Sequence, residues 1–181
     1  PLALEGWIEF SEAKWGLKAE RVRFGVSGKE LPLLEVVLYR NSRGHIRLPP
    51  RNPYFPLSFS GTPTQFPSRV TGQWLGVSGQ FAEYCLNTGR DAVLVLPPDV
   101  HDVREFSIRC YDVEPRYTYW LELPLKYEIV DSSVKKRLRK ASELNFCVDR
   151  TTNMEHVMQC LEATEARQGF EYSLSVKDLV D

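Results

Sequence analysis

Three histidines, four cysteines and one dense row of cations are the chemically conspicuous residues of this 181-residue chain. Their spacing decides what they can do. His45, His101 and His156 are scattered, and the one pair at helical spacing, His156 with Cys160, supplies two ligands where a metal site needs three or four, so no single element carries a metal site. Cys85, Cys110, Cys147 and Cys160 lack Cys-x-x-Cys spacing and any local nucleophile signature, and no Gly-x-Ser-x-Gly elbow is present. Covalent hydrolase chemistry is therefore unsupported, and the scattered Asp and Glu residues read as solvated surface. The row Lys135-Lys136-Arg137-Leu138-Arg139-Lys140 is different, because it puts five cations on about a turn and a half of helix with no acid between them. Like charges repel at i, i+4, so the row is either a solvated face or a contact for phosphate. A second candidate is Gln73-Trp-Leu-Gly76-Val-Ser78, ahead of a predicted helix starting near Gly79. Glycine turns at helix N-termini hold phosphates, so Gln73, Gly76 and Ser78 are either cofactor-binding residues or an ordinary loop leading into a helix.

Composition sets the frame for these groups. Hydrophobic residues at 43% and charged residues at 26% are globular values, which exclude disordered, collagenous and low-complexity classes. The net charge of -1 gives no whole-molecule field toward nucleic acid or an acidic membrane, so DNA is not expected as a partner and any such contact must come from a local patch. The longest nearly uncharged apolar run, Ala92 to Pro98, is far short of the roughly 20 residues of a membrane helix. Widely spaced cysteines are expected of reduced thiols in a cytoplasmic protein.

The elements that must position these groups follow from patterning. Trp7 to Phe10 predicts a short strand, Glu12 to Lys18 a turn or two of helix, and Leu33 to Tyr39 a buried strand followed by a turn at Asn41-Ser-Arg-Gly44. Pro49, Pro50, Pro53, Pro56, Pro63 and Pro67 fall within nineteen residues among Tyr54, Phe55, Phe59 and Phe66. That stretch is too aromatic for a disordered linker and predicts ordered extended chain and loops. Phe81, Ala82, Cys85 and Leu86 keep helical spacing between Ser78 as N-cap and Gly89 as stop. Strands are predicted at Ala92–Leu96, Phe106–Tyr111 and Tyr117–Leu123. Beyond Pro124, Val134, Leu138 and Ala141 mark a helix over 132–144 capped by Asp131 or Ser132, and Phe146–Arg150 reads as a strand. Thr152 with Glu155 forms a capping box for a helix running to Gly169, and Ser175 caps a last helical stripe. At roughly 150 residues per domain the length is one domain and a fraction. The expected division is 1–116 as a complete unit and 117–181 as the opening of a second, cut within a helix.

Two resemblances attach function to these patterns. The Gln73–Ser78 segment is similar to the Gln/Arg-x-x-Gly-x-Gly/Ala turn with which acetyltransferases of the GNAT superfamily hold the coenzyme A pyrophosphate, except that Ser78 replaces the last small residue. More extensively, Tyr117-Thr118-Tyr119, the helix Ser133-Val-Lys-Lys-Arg-Leu-Arg-Lys-Ala141, Phe146-Cys-Val148 and Glu162-Ala-Thr-Glu-Ala-Arg167-Gln-Gly-Phe170 resemble the opening of the second half of FemABX-like acyltransferases. Upstream, Asp102-Val-Arg104-Glu-Phe106 and the proline-aromatic stretch share the likeness more loosely. The resemblance implies an α/β (α+β) fold of two GNAT-like units, each a mixed sheet flanked by helices, and an acyl or aminoacyl transfer to an amine. In peptidoglycan-building members the donor is aminoacyl-tRNA and the acceptor a cell-wall precursor. It further implies Lys136, Arg137 and Lys140 as structural or anionic-substrate contacts, Arg167 and Tyr172 near the substrate's diphosphate, and Lys18, with Trp15, as part of a Trp-x-x-Lys element facing substrate.

Three functions are compatible with these patterns. The first is an acyltransferase whose donor is aminoacyl-tRNA or acyl-coenzyme A, with no tightly bound cofactor and no metal, and which as a fragment is expected to be inactive. The second is a single-domain coenzyme A-dependent N-acetyltransferase using Gln73 to Ser78. The third is a non-catalytic RNA- or anion-binding module working through the basic helix.

Overall fold

A computed structural model describes residues 2–88, 92–119, 122–124, 126–144, 150–171 and 174–180. The chain divides into two compact units, Pro1–Tyr119 and Trp120–Asp181.

The first unit is built on a three-stranded antiparallel sheet in the order β1 (Lys18–Gly25), β2 (Leu33–Arg40), β3 (Leu57–Ser60). β1 and β2 pair from Lys18 opposite Arg40 to Gly25 opposite Leu33, and β3 joins β2 with Leu57 opposite Val36. The hairpin needs glycine at its end, since a Cβ on Gly25 would stand 2.8 Å from the Pro32 carbonyl oxygen. Strand alternation puts Glu20, Val22 and Phe24 on one face with Leu34, Val36 and Leu38. On that face Phe24 meets Phe81 and Tyr84 of α2 (Pro67–Thr88) at ring separations of 5.6 Å. On the other face the Tyr39 hydroxyl lies beside Ser11 of α1 (Glu5–Trp15). A strand covered on both sides has no polar face, which is why β2 reads as a nearly continuous apolar run and is buried from Val36 through Tyr39.

Several local expectations give way here. Trp7–Phe10 is helical, inside α1, whose Ile8 and Ser11 are buried and whose end is set by Gly16 in the left-handed conformation at φ 60°. A four-residue apolar run does not by itself distinguish strand from buried helix. α2 begins at Pro67, eleven residues before Ser78, with proline in the first turn where its missing N–H costs nothing. Trp74, Val77, Ser78, Phe81, Ala82 and Cys85 form its buried face, while Gly72, Gly76 and Gly79 disguise the helix in sequence. The proline-aromatic stretch contains β3 as well as loops. Ala92–Leu96 forms no strand, although the Val95 carbonyl accepts a 2.9 Å hydrogen bond from the Phe55 amide. Phe106–Tyr111 is not a strand either: α3 (Arg104–Ile108) turns Phe106 into the core, where its ring meets Phe81 at 5.8 Å and Tyr111 at 5.7 Å. Tyr117 and Tyr119 are exposed and outside regular structure, and residues 120 and 121 of that predicted strand lie outside the described residues.

The second unit holds, among its described residues, a 3-10 turn, Tyr127–Ile129, then α4 (Ser132–Glu143), α5 (Met154–Gln168) and α6 (Val176–Val180). Asp131 caps α4, accepting from the Ser133 amide at 2.8 Å. α5 is capped by Asn153, which accepts from the His156 amide at 3.1 Å, instead of by Thr152 with Glu155; the helix ends at Gly169, φ 73°. Ser175 and Asp178 cap α6 reciprocally. Of the predicted strand Phe146–Arg150, residues 145–149 lie outside the described residues and Arg150 has no regular structure. Among the described residues of this unit Met158 is the one buried hydrophobic side chain. The class is thus α plus β, with an antiparallel sheet in place of the mixed one.

Candidate functional site

The basic row lies where its spacing predicts, on α4. Lys135 is engaged: its ammonium donates to the Glu128 carbonyl at 3.0 Å and stands 5.3 Å from the centre of the Tyr127 ring. Lys136, Arg137, Arg139 and Lys140 are exposed, and none has an ion pair among the described residues. The first acid on the helix is Glu143, at its end. Four adjacent positive side chains without a counter-ion raise the local potential and favour a polyvalent anion.

Arg167 is exposed in the last turn of α5, where a cation suits the helix dipole. The shallow depression at that helix end is lined by Glu165, Ala166, Gly169, Phe170 and Glu171, so two carboxylates stand in it. Tyr172 lies outside the described residues. Lys18 opens β1 and is exposed, three residues after Trp15, whose indole nitrogen is buried without a hydrogen-bond partner.

The Gln73–Ser78 segment is not the helix-entry cradle that its sequence suggests. Gln73 to Ser78 is the middle of α2, so its amides belong to the helical hydrogen-bond ladder and are not presented to a pyrophosphate. Gln73 instead ties α2 to the preceding loop, accepting from the Thr62 amide at 2.7 Å. Gly76 lines a groove of about 430 Å³ with Val26, Pro32, Arg69, Gly72 and Gln73, whereas Ser78 is buried and donates to the Leu75 carbonyl.

The Asp102-Val-Arg104-Glu-Phe106 motif serves as a dock. The Trp74 indole N–H donates to the Asp102 carbonyl at 2.7 Å, and the Glu105–Arg109 pair lies over Gly79, where a Cβ would come within 2.7 Å of Glu105 Oε2. Arg104 grips the Asp102 carboxylate at 2.7 Å and 3.0 Å, which holds that carboxyl below its usual range.

Two polar clusters escaped the sequence. Glu20 accepts from the Tyr84 hydroxyl at 2.6 Å and from Arg40 at 3.0 Å, and Arg40 reaches on to the Gly44 and Thr88 carbonyls. This network ties β1, β2 and α2 together. Beneath α1, the Trp7 indole donates to Asn52 Oδ1 at 2.7 Å, while Asn52 Nδ2 and the Tyr39 hydroxyl are buried without good hydrogen bonds. Burial pushes the Tyr39 hydroxyl pKa up. The repeat of Trp7, Ser11 and Trp15 at intervals of four is the signal that points to this face. Among the described residues no three His, Cys, Asp or Glu side chains gather as a metal site. No helix among them is long and apolar enough to cross a membrane.

No protein family, curated protein or solved structure matches this chain.

Proposed function

We propose that this chain is part of an N-acyltransferase of the FemABX-like kind, in which the cationic face of α4 receives a phosphate-bearing acceptor. The observation that carries the reading is the row Lys136, Arg137, Arg139 and Lys140, exposed on one helix with no ion-pair partner among the described residues. Two further features support it. α4 and the Gly169-capped α5 stand in the order that the likeness requires, and a small sheet with α1 on one face and α2 on the other is compatible with a GNAT-like unit. The reaction is aminolysis of an activated acyl group. The acceptor amine loses a proton, attacks the carbonyl carbon and expels the donor's leaving group, with the oxyanion stabilised by positioned dipoles. Cations at α4 contribute by holding the acceptor's phosphates, and arginine does so through two parallel N–H donors. Aminoacyl-tRNA is the donor this reading favours, because the amides of residues 73–78 are spent inside α2 and do not offer coenzyme A a cradle at that segment.

Calorimetric titration with a nucleoside-diphosphate-linked sugar-peptide tests the reading. The triple variant Lys136→Ala, Arg137→Ala, Lys140→Ala is expected to weaken binding by about 100-fold, at roughly 1 kcal/mol per charge-assisted contact. Unchanged affinity would remove α4 from the site.

A further inference from the structure

The opposite face of α4 is apolar, and it too is open. Val134 and Leu138 stand one turn apart and remain 41% and 48% exposed, with Ala141 continuing the stripe. Arg137 and Lys135 flank that stripe, and Lys136, Arg139 and Lys140 lie behind it. The chain leading into the helix adds to the apolar surface: Ile129 is 74% exposed, and Tyr127 is held at the first turn of α4 by the Lys135 ammonium. A helix with a low overall hydropathy, a narrow aliphatic stripe and a cation-rich polar face is built for the boundary between water and an anionic surface.

We infer that α4 docks onto an anionic lipid bilayer, with Val134, Leu138 and Ala141 entering the headgroup boundary and the cations drawn to the lipid phosphates. Charge complementarity selects this occupant: a neutral apolar partner would leave the unpaired cations uncompensated, whereas all of them lie within about a Debye length of a surface touching the stripe. The aliphatic stripe argues against nucleic acid, since a phosphate backbone offers nothing to Val134 and Leu138. The inference goes beyond the acyltransferase reading and does not rest on it, because it starts from the aliphatic stripe that the acceptor does not use, although it shares the cations with that reading.

Flotation of the full chain with vesicles of phosphatidylcholine alone, or of phosphatidylcholine with phosphatidylglycerol, tests it. Binding is expected only to the phosphatidylglycerol vesicles, and is expected to weaken with added salt. Leu138→Asp should lower the partition coefficient about ten-fold or more, and Val134→Ser, which adds no charge to the cation row, should lower it while the affinity for the soluble diphosphate acceptor stays unchanged. Replacing Lys136, Arg137 and Lys140 by Ala should lower partitioning about 100-fold, at about five-fold per cation. Val134→Ser, a milder change, guards against a folding defect and should act in the same direction as Leu138→Asp. No association with phosphatidylglycerol vesicles would overturn the inference. So would binding that Leu138→Asp and Val134→Ser leave intact, or retention of tRNA by a chain that ignores the vesicles.

Discussion

Replacing Glu20 by Gln perturbs the tie between β1, β2 and α2 at its centre. The carboxylate accepts two charge-assisted hydrogen bonds, from Tyr84 at 2.6 Å and Arg40 at 3.0 Å. Such bonds contribute about 1.5–3 kcal/mol each when shielded. The Glu20 side chain is 43% exposed, however, so solvent screening reduces the charged part, and glutamine retains one acceptor. The expected net loss is about 1–2 kcal/mol, a fall in melting temperature on the order of 5 °C. Tryptophan fluorescence reports it, since Trp7, Trp15 and Trp74 all lie in the first unit. The pH dependence supplies a second signature. Hydrogen bonding from Tyr84, followed by Arg40, holds the Glu20 pKa below its ordinary value against the opposing effect of burial. A carboxyl with a lowered folded pKa contributes stability above its unfolded value of about 4.3 and loses it as pH falls through the folded value. Wild type and Glu20→Gln should therefore differ at neutral pH and converge in acid. Equal stability at neutral pH, or a gap that persists unchanged in acid, would refute the assignment.

Two other predictions concern the first unit. Trp74→Phe leaves the Asp102 carbonyl without its 2.7 Å donor and should cost about 1–3 kcal/mol, seen as a lower urea midpoint and faster amide exchange at Phe106 and Ser107 in α3. Burial pushes the Cys85 thiol up to about 12, so folded protein at neutral pH should be alkylated at exposed Cys110 and Cys160 and spared at Cys85, as peptide mass spectrometry will show.

What the sequence disclosed depended on how far each signal was local. β2, α4 and α5 were legible because their burial or capping is written in consecutive residues: Leu33 to Tyr39, the cap at Asp131, and Gly169 in the left-handed conformation. α2 was half legible. Its apolar face continues upstream through Trp74, but Gly72, Gly76 and Pro67 mimic a loop, and nothing local reveals that Gly79 is small because Glu105 and Arg109 cross it. A Gln-x-x-Gly-x-Ser segment has free amides only where a helix begins, and residues 73–78 lie inside one. The alternation of Phe106, Ile108 and Cys110 looks like a strand, whereas the ring of Phe106 is held in α3 by Phe81 and Tyr111, which are distant or later in the chain. The Glu20–Arg40–Tyr84 network was invisible for the same reason, its members being brought together by hairpin register and helix docking. Of the candidate site, the cations of α4 are fully visible in sequence, and the lack of ion-pair partners for Lys136, Arg137, Arg139 and Lys140 among the described residues is not.

A map of amide shifts in the isotope-labelled chain, titrated with the diphosphate-linked acceptor and followed by NMR, tests the central claim most directly. The account predicts that the largest shifts fall on residues 135–140 of α4 and shrink as salt is raised. Saturable binding whose shifts lie elsewhere, with α4 unmoved, would contradict it.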